Sequence, residues 1–407
     1  MKPLLCIFIG LLTACADDTS GAAAKTGDAT SGLRAGLAII GSDYKTTSVS
    51  LVDPVARKAV APNFVNSGSK VTPGGTALGG DVLVAQTPTP DGRLVLIDRG
   101  SGVLTYIDPL TLQVSEQRSV ASGFYANPQD YVQTSASRAY VTRMGRNAKP
   151  TEDPGDFDEG DDVLVLDVAQ RTLVGRVEVS SHATLAGTLG APGRMAYDGK
   201  IIWVPLASLA TDFKSAGTGR ILGLDAETGA IVHSIDAPNV KNCVKAALLP
   251  GTHKVGVVCS GFFGDAADQA KASGVLVFDT DNVPAIADVA VRATDLDGKG
   301  AFGKDIAFVD ATRGVVIASG NFAAGTPDRL WLVDVSTGKG TPLATAHGAF
   351  TLSGLYADTA ALRIWAGEAA HVGGDLRIFD VAGPVPSELP PLASNPGGLG
   401  AVDLGRY

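Results

Sequence analysis

Cysteine and histidine are scarce in this chain, with 4 and 5 copies among 407 residues. No HExxH, CxxC or GxSxG motif occurs, and no GxxxxGK[ST] loop is present to cradle a phosphate. These gaps remove the usual signatures of zinc proteases, thiol redox proteins, α/β-hydrolases and P-loop nucleotide enzymes. Positive charge is also thin. Thirty-three Lys plus Arg face 42 Asp plus Glu, for a formal net charge of −9. No basic block or stripe is visible, so nucleic-acid binding and adhesion to anionic headgroups lack an electrostatic basis. Beyond the first residues, no stretch approaches eighteen uninterrupted apolar residues, the length a spanning helix needs.

What the chain has in quantity is repetition. A hydrophobic strand ending in Asp recurs seven times, at Asp53, Asp108, Asp167, Asp225, Asp279, Asp334 and Asp380. The intervals are 55, 59, 58, 54, 55 and 46 residues. A near-constant period in this range marks a repeat architecture. Around each Asp the same grammar of short β-branched and aromatic runs returns, punctuated by Gly, Pro, Asp and Ser. In the second unit it reads 81–86, then Pro90-Asp91-Gly92, then 93–98, 103–108 and 112–120. The repeated Asp has a local role, because a carboxylate at the first position of a tight turn accepts backbone N–H groups. The 50 Gly residues are accounted for by seven sets of such turns.

The innermost strands are expected at 81–86, 130–134, 193–197, 244–249, 304–309, 353–357 and 400–407. That series starts one unit late, so the C-terminal strand is expected to pair into the first unit, around 36–53, and close the ring. Closure removes the exposed edges that invite aggregation. The fold expected for residues 35–407 is therefore all-β, a seven-bladed propeller of four-stranded antiparallel blades. These repeats resemble the superfamily of propellers with YVTN-type or quinoprotein-like units, and 222–229 (LGLDAETG) is similar to one PQQ-type repeat.

Residues 1–14 read as a secretory signal, with Lys2 followed by an apolar core from Leu4 to Leu12. Leu12-Thr13-Ala14-Cys15 resembles the lipobox of bacterial lipoproteins, a likeness that implies acylation at Cys15. Residues 16–34 carry almost no large apolar side chains, Leu33 apart, so 15–34 is expected to tether a propeller to the membrane. With Ala16 rather than Asp after the Cys, the expected location is the outer membrane of a bacterial cell envelope. Cys243 and Cys259 straddle Pro250-Gly251-Thr252, and a hairpin centred at 251 sets them opposite each other. In an oxidising compartment they are expected to form a disulfide, two free buried thiols being the alternative.

Loops between second and third strands are long in four units, at 144–161, 207–218, 260–273 and 320–327. Together with the blade-to-blade connections they emerge on one face of a propeller, where binding residues usually sit. Phe124, Tyr125, Phe213, Phe262, Phe263, Phe322 and Phe350 fall in or beside these loops and suggest a partly apolar binding face. Within 149–162, Asp156, Asp158 and Asp162 alternate around Gly160 in the manner of an incomplete calcium loop. A solvated acidic loop is the other reading, so the cofactor expectation is none or Ca²⁺. The leading functional expectation is a non-enzymatic, lipid-anchored envelope propeller that presents this face to a protein or glycan partner. The resemblance also leaves open a quinoprotein- or lactonase-like enzyme, or a scaffold in outer-membrane protein assembly.

Overall fold

Each repeat supplies four short, strongly β-prone segments, and a segment this short gains a buried face only by stacking against its neighbours. A computed structural model describes residues 33–69, 75–121, 123–151, 153, 155–264, 268–297, 300–369 and 374–407. The described strands form seven four-stranded antiparallel sheets arranged as blades around a central channel. The third strand of every blade ends on the repeated Asp, from Thr47–Asp53 in the first blade to Leu376–Asp380 in the seventh.

All seven of these Asp residues cap a turn. In the first blade Asp53 accepts the N–H groups of Val55 and Ala56 at 2.8 and 2.9 Å, and in the fourth Asp225 accepts those of Glu227 and Thr228. Asp108, Asp167, Asp279, Asp334 and Asp380 each accept at least one N–H in the same way. At Asp108 and Asp225 these backbone bonds hold the carboxyl below its usual pKa.

The first blade is closed by the end of the chain. Ala401–Arg406 runs antiparallel to Leu37–Ser42, pairing Leu37 with Arg406 and Ile39 with Leu404. Tyr407 extends the pairing through its N–H to Gly36 O, at 3.3 Å, and its ring is buried between the first and second blades. Seven apolar clusters fill the seven interfaces between adjacent blades, so the core is a ring of seams. Fourth strands such as Gln113–Ser119 alternate between exposed and half-buried residues, as outer edges do.

Cys243 and Cys259 are disulfide-bonded across the first hairpin of the fifth blade, directly opposite in register. Ser260 N–H donates to Asn242 O at 2.9 Å, which makes the two Cys the closer, non-hydrogen-bonded kind of antiparallel pair. The fourth blade departs from expectation. Its innermost strand covers only Ala196–Tyr197, because Arg194 N–H donates to Val244 O and Arg194 O accepts from Ala246 N–H, both in the next blade. Gly193 permits this approach, since a Cβ there would collide with the Val244 carbonyl.

Candidate functional site

The channel is divided at its waist by a charged girdle carried on the innermost strands. Asp403 accepts Arg194 Nη1 and Nη2 at 2.9 and 3.1 Å, and its Oδ2 also accepts Val84 N–H at 2.8 Å. Asp130 accepts the N–H groups of Gln86, Tyr131 and Met195. Lys245 is paired with Asp305 and donates to Gln86 Oε1 at 2.6 Å, while Asp305 Oδ2 accepts Leu355 N–H at 2.7 Å. Each carboxylate thus ties its own blade to another. Burial pushes the Asp130 carboxyl above its usual value despite the nearby Arg194 charge and its three backbone donors. Among the described residues, no three His, Cys, Asp or Glu side chains converge as a metal cage would need.

On either side of the girdle the channel opens into a cavity. The face that carries the tight first-to-second turns holds about 300 Å³. The face of the long loops holds about 600 Å³, with Arg194, Asp305 and Asp403 at its floor. The asymmetry follows from chain direction, because second-to-third loops and blade-to-blade connections all emerge on the wider side.

Four of the seven aromatic residues expected on this face line the wide mouth: Tyr125, Phe213, Phe263 and Phe350, exposed by 60, 50, 52 and 68%. Tyr44, which the sequence reading missed, joins them at 74% exposure. Its loop, between Ser42 and Thr47, is too short to stand out by length. Three of these five hold a left-handed backbone, with φ of 63° at Tyr44, 55° at Phe213 and 59° at Phe350. A bulky residue in that region costs about 1–2 kcal/mol.

The other three expected residues do different work. Phe262 is buried against Leu209 and Met144 and pins the loops of the fourth and fifth blades. Phe124 lies under the Arg143 guanidinium, 5.3 Å from its ring centre. Phe322 is 83% exposed but does not line the mouth.

In the acidic segment of the third blade, the carboxylates expected to share a cation are bonded by groups of the protein. The strand starts at Gly160, so Asp161 and Asp162 belong to it and are buried. Asp162 is bound by Arg143 Nε and Nη2 at 2.7 and 2.6 Å. Asp158 accepts Asn147 Nδ2 and Thr151 N–H, and Asp156 accepts Thr151 Oγ1 at 2.9 Å. Asp156 and Asp158 lie in the loop and share Thr151, while Asp162 lies on the strand and turns to Arg143. Neighbouring residues on a strand face opposite ways. Asp161 accordingly turns to the fourth blade and accepts Gly190 and Ala191 N–H groups at 3.0 and 2.8 Å.

No known family profile and no curated protein matches the sequence. Solved structures do match in shape. Hydrazine synthase of Kuenenia stuttgartiensis is 14% identical with a TM-score of 0.52, covering 77% of this chain and 79% of that one. The β-propeller domain of Myceliophteria thermophila Cps50 (Swd1) is 10% identical, TM-score 0.49, over 85% of this chain and 98% of its own. BamB from Moraxella catarrhalis is 16% identical, TM-score 0.42, over 86% and 82%. At such identities likeness speaks to the fold alone, and the chain is a seven-bladed β-propeller.

Proposed function

We propose that this protein is a lipid-anchored binding module of a bacterial envelope, holding a protein or glycan partner on the wide mouth of its propeller. The observation that carries the reading is the trio Tyr44, Phe213 and Phe350. Each is exposed at the mouth while its backbone is held in a conformation that disfavours bulky side chains. Strain of this kind collects where a side chain must be aimed at a ligand. Large, rigid aromatic groups are also the side chains that anchor interfaces at low entropic cost. The anchor is Cys15, which lies outside the described residues, and the segment to residue 34 spaces the propeller from the outer membrane.

Two measurements test the proposal. Mass spectrometry of the membrane-extracted protein is expected to find an acylated N-terminal Cys15, and a mature chain starting elsewhere would remove the anchor. Affinity capture from detergent-solubilised membranes is expected to recover a partner with the wild type and to lose it with Tyr44→Ala, Phe213→Ala and Phe350→Ala combined. Because these side chains are solvent-exposed, the variant should fold normally. Equal recovery by the folded variant would sink the mouth as the binding surface.

A further inference from the structure

Among the described residues, seven charged side chains line the wide mouth, and all but one are compensated inside the protein. Arg99 is paired with Asp81 at 2.7 Å, Arg194 with Asp403, and Asp305 with Lys245. Asp328 accepts four backbone N–H groups, from Gly320, Phe350, Thr351 and Leu352, at 2.7–3.0 Å. Lys304 is different. It rises from the innermost strand Phe302–Phe308 of the sixth blade, exposed to the cavity, with no ion pair or hydrogen bond among the described residues. Its surroundings already resist a lone charge. Burial in the mouth, and secondarily the Arg99 guanidinium, hold the Lys304 amine below its usual pKa, with Asp81 acting the other way.

An unpaired cation at the bottom of a concave, protein-walled mouth focuses its field on whatever enters. Among the described residues, Lys304 is the one cation of the mouth without a carboxylate partner, in a chain of net charge −9. The rings above it have a second requirement. Phe213 and Phe263 lie 6.2 Å apart and tilted by 43°, and Phe262 and Phe263 lie 5.4 Å apart and tilted by 47°. Tilted Phe rings make a wedge for an aliphatic or aromatic side chain. They offer neither the flat platform nor the polar ring substituents that suit a sugar. A cavity of about 600 Å³ is in the range that encloses such a guest.

We infer that the mouth takes an acidic peptide segment of a partner protein, its carboxylate docking on Lys304 beside Arg99 and its apolar neighbours wedging among Phe213, Phe263 and Phe350. This rests on the binding reading above and narrows it to one class of partner. A carboxylate completes the ion pair that Lys304 lacks, and the Arg99–Asp81 pair next to it supplies a second, partly compensated cation.

The test uses the full propeller and a short probe, the peptide acetyl-Leu-Asp-Phe-Asp-Leu-amide, against the same peptide with Asn in place of both Asp residues. Isothermal calorimetry at low salt is expected to show the acidic peptide binding at least about tenfold tighter, the scale of one charge-assisted contact. Lys304→Met should abolish the preference without lowering the melting temperature, and Lys304→Glu should favour the version with Lys in place of Asp. The wild-type preference should also fade as pH rises, at a pH below the ordinary lysine range. Equal binding of the acidic and Asn peptides, no binding of either near 1 mM, or a preference that survives Lys304→Met would overturn the inference. So would an oligogalacturonate that binds through Lys304 when the peptides do not. If the triple aromatic variant loses its partner while the peptides show no charge preference, the binding surface stands and only the acidic-peptide assignment falls.

Discussion

Arg194 and Asp403 stand 209 residues apart in the chain and meet at the waist of the channel, joined by two bonds of 2.9 and 3.1 Å. The pair links the fourth blade to the C-terminal strand that closes the first. Burial works against the Arg194 charge, and Asp403 together with Asp130 and Asp305 outweighs it, holding the guanidinium above its usual pKa. Removing one member of a buried pair leaves the other uncompensated, so Asp403→Ala should cost about 3–5 kcal/mol. Arg194→Met combined with Asp403→Leu should cost less than the two single changes together. Urea unfolding of Arg194→Met, Asp403→Leu and the double variant, beside Asp403→Ala, measures this, and additive losses would show that the two residues act independently.

Ring closure gives a second expectation. Removing residues 398–407 strips the innermost strand from the first blade, exposes the edge of Leu37–Ser42, and should leave an aggregation-prone protein. Tyr407 permits a finer cut. Its ring is 4% exposed, yet its hydroxyl has no hydrogen-bond partner among the described residues. Tyr407→Ala should cost about 3 kcal/mol through the cavity it opens. Tyr407→Phe should be neutral or stabilising by up to about 1 kcal/mol, because a buried unsatisfied group is removed. A large loss with Phe would mean the hydroxyl is bonded after all.

The disulfide invites a direct check. Without reductant, neither Cys243 nor Cys259 should react with iodoacetamide, even in the unfolded protein. Replacing both by Ala should lower stability by about 3 kcal/mol, the scale for a loop this short. Two alkylated thiols before reduction would contradict the pairing.

Asp161 sets a pH dependence. Burial raises its pKa from 3.8 to about 6, outweighing the bonds from Ala191 and Gly190. The folded state therefore binds this proton more tightly than the unfolded chain. Its contribution is full below about pH 4 and lost as pH rises through about 6, a change on the order of 3 kcal/mol. Asp161→Asn, which cannot titrate, should flatten the stability difference between pH 4 and 7. Parallel pH profiles for the two proteins would remove Asp161 as the cause.

Calcium should have little effect on the third blade. Asp162 is engaged by Arg143, and Asp158 by Asn147 and Thr151, so a cation would have to displace donors already in place. Calorimetry with calcium up to about 1 mM is expected to give no binding heat, while Asp162→Ala should cost about 3–5 kcal/mol by stranding Arg143. A saturable heat lost in Asp156→Asn with Asp158→Asn would restore the cation site.

Local chemistry wrote most of the architecture. Seven Asp-terminated strands, the turn residues around them and the late start of the innermost series were enough to specify blade number, strand order and closure by residues 400–407. They sufficed because turn capping and strand pairing act over a few residues, and because a short apolar strand has few ways to bury both faces. The opposed Cys243 and Cys259 followed from the same arithmetic, since hairpin register is local. The face bearing the long loops was legible too, as it depends only on counting strand reversals.

Side-chain direction across the ring was not legible. Whether a loop aromatic faces the mouth, as Phe263 does, or packs beneath it, as Phe262 does, depends on loops of two different blades. The acidic run resembled a cation site because spacing along the chain does not reveal that Asp162 turns to Arg143 on the neighbouring strand while Asp156 and Asp158 meet Thr151 and Asn147 within the loop. Lys304 carried no signal at all, being one lysine in an ordinary inner strand. Only the assembled ring brings Arg99, Asp81 and Lys304 into one mouth and leaves the last of them unpaired, because the charges that meet there come from strands hundreds of residues apart.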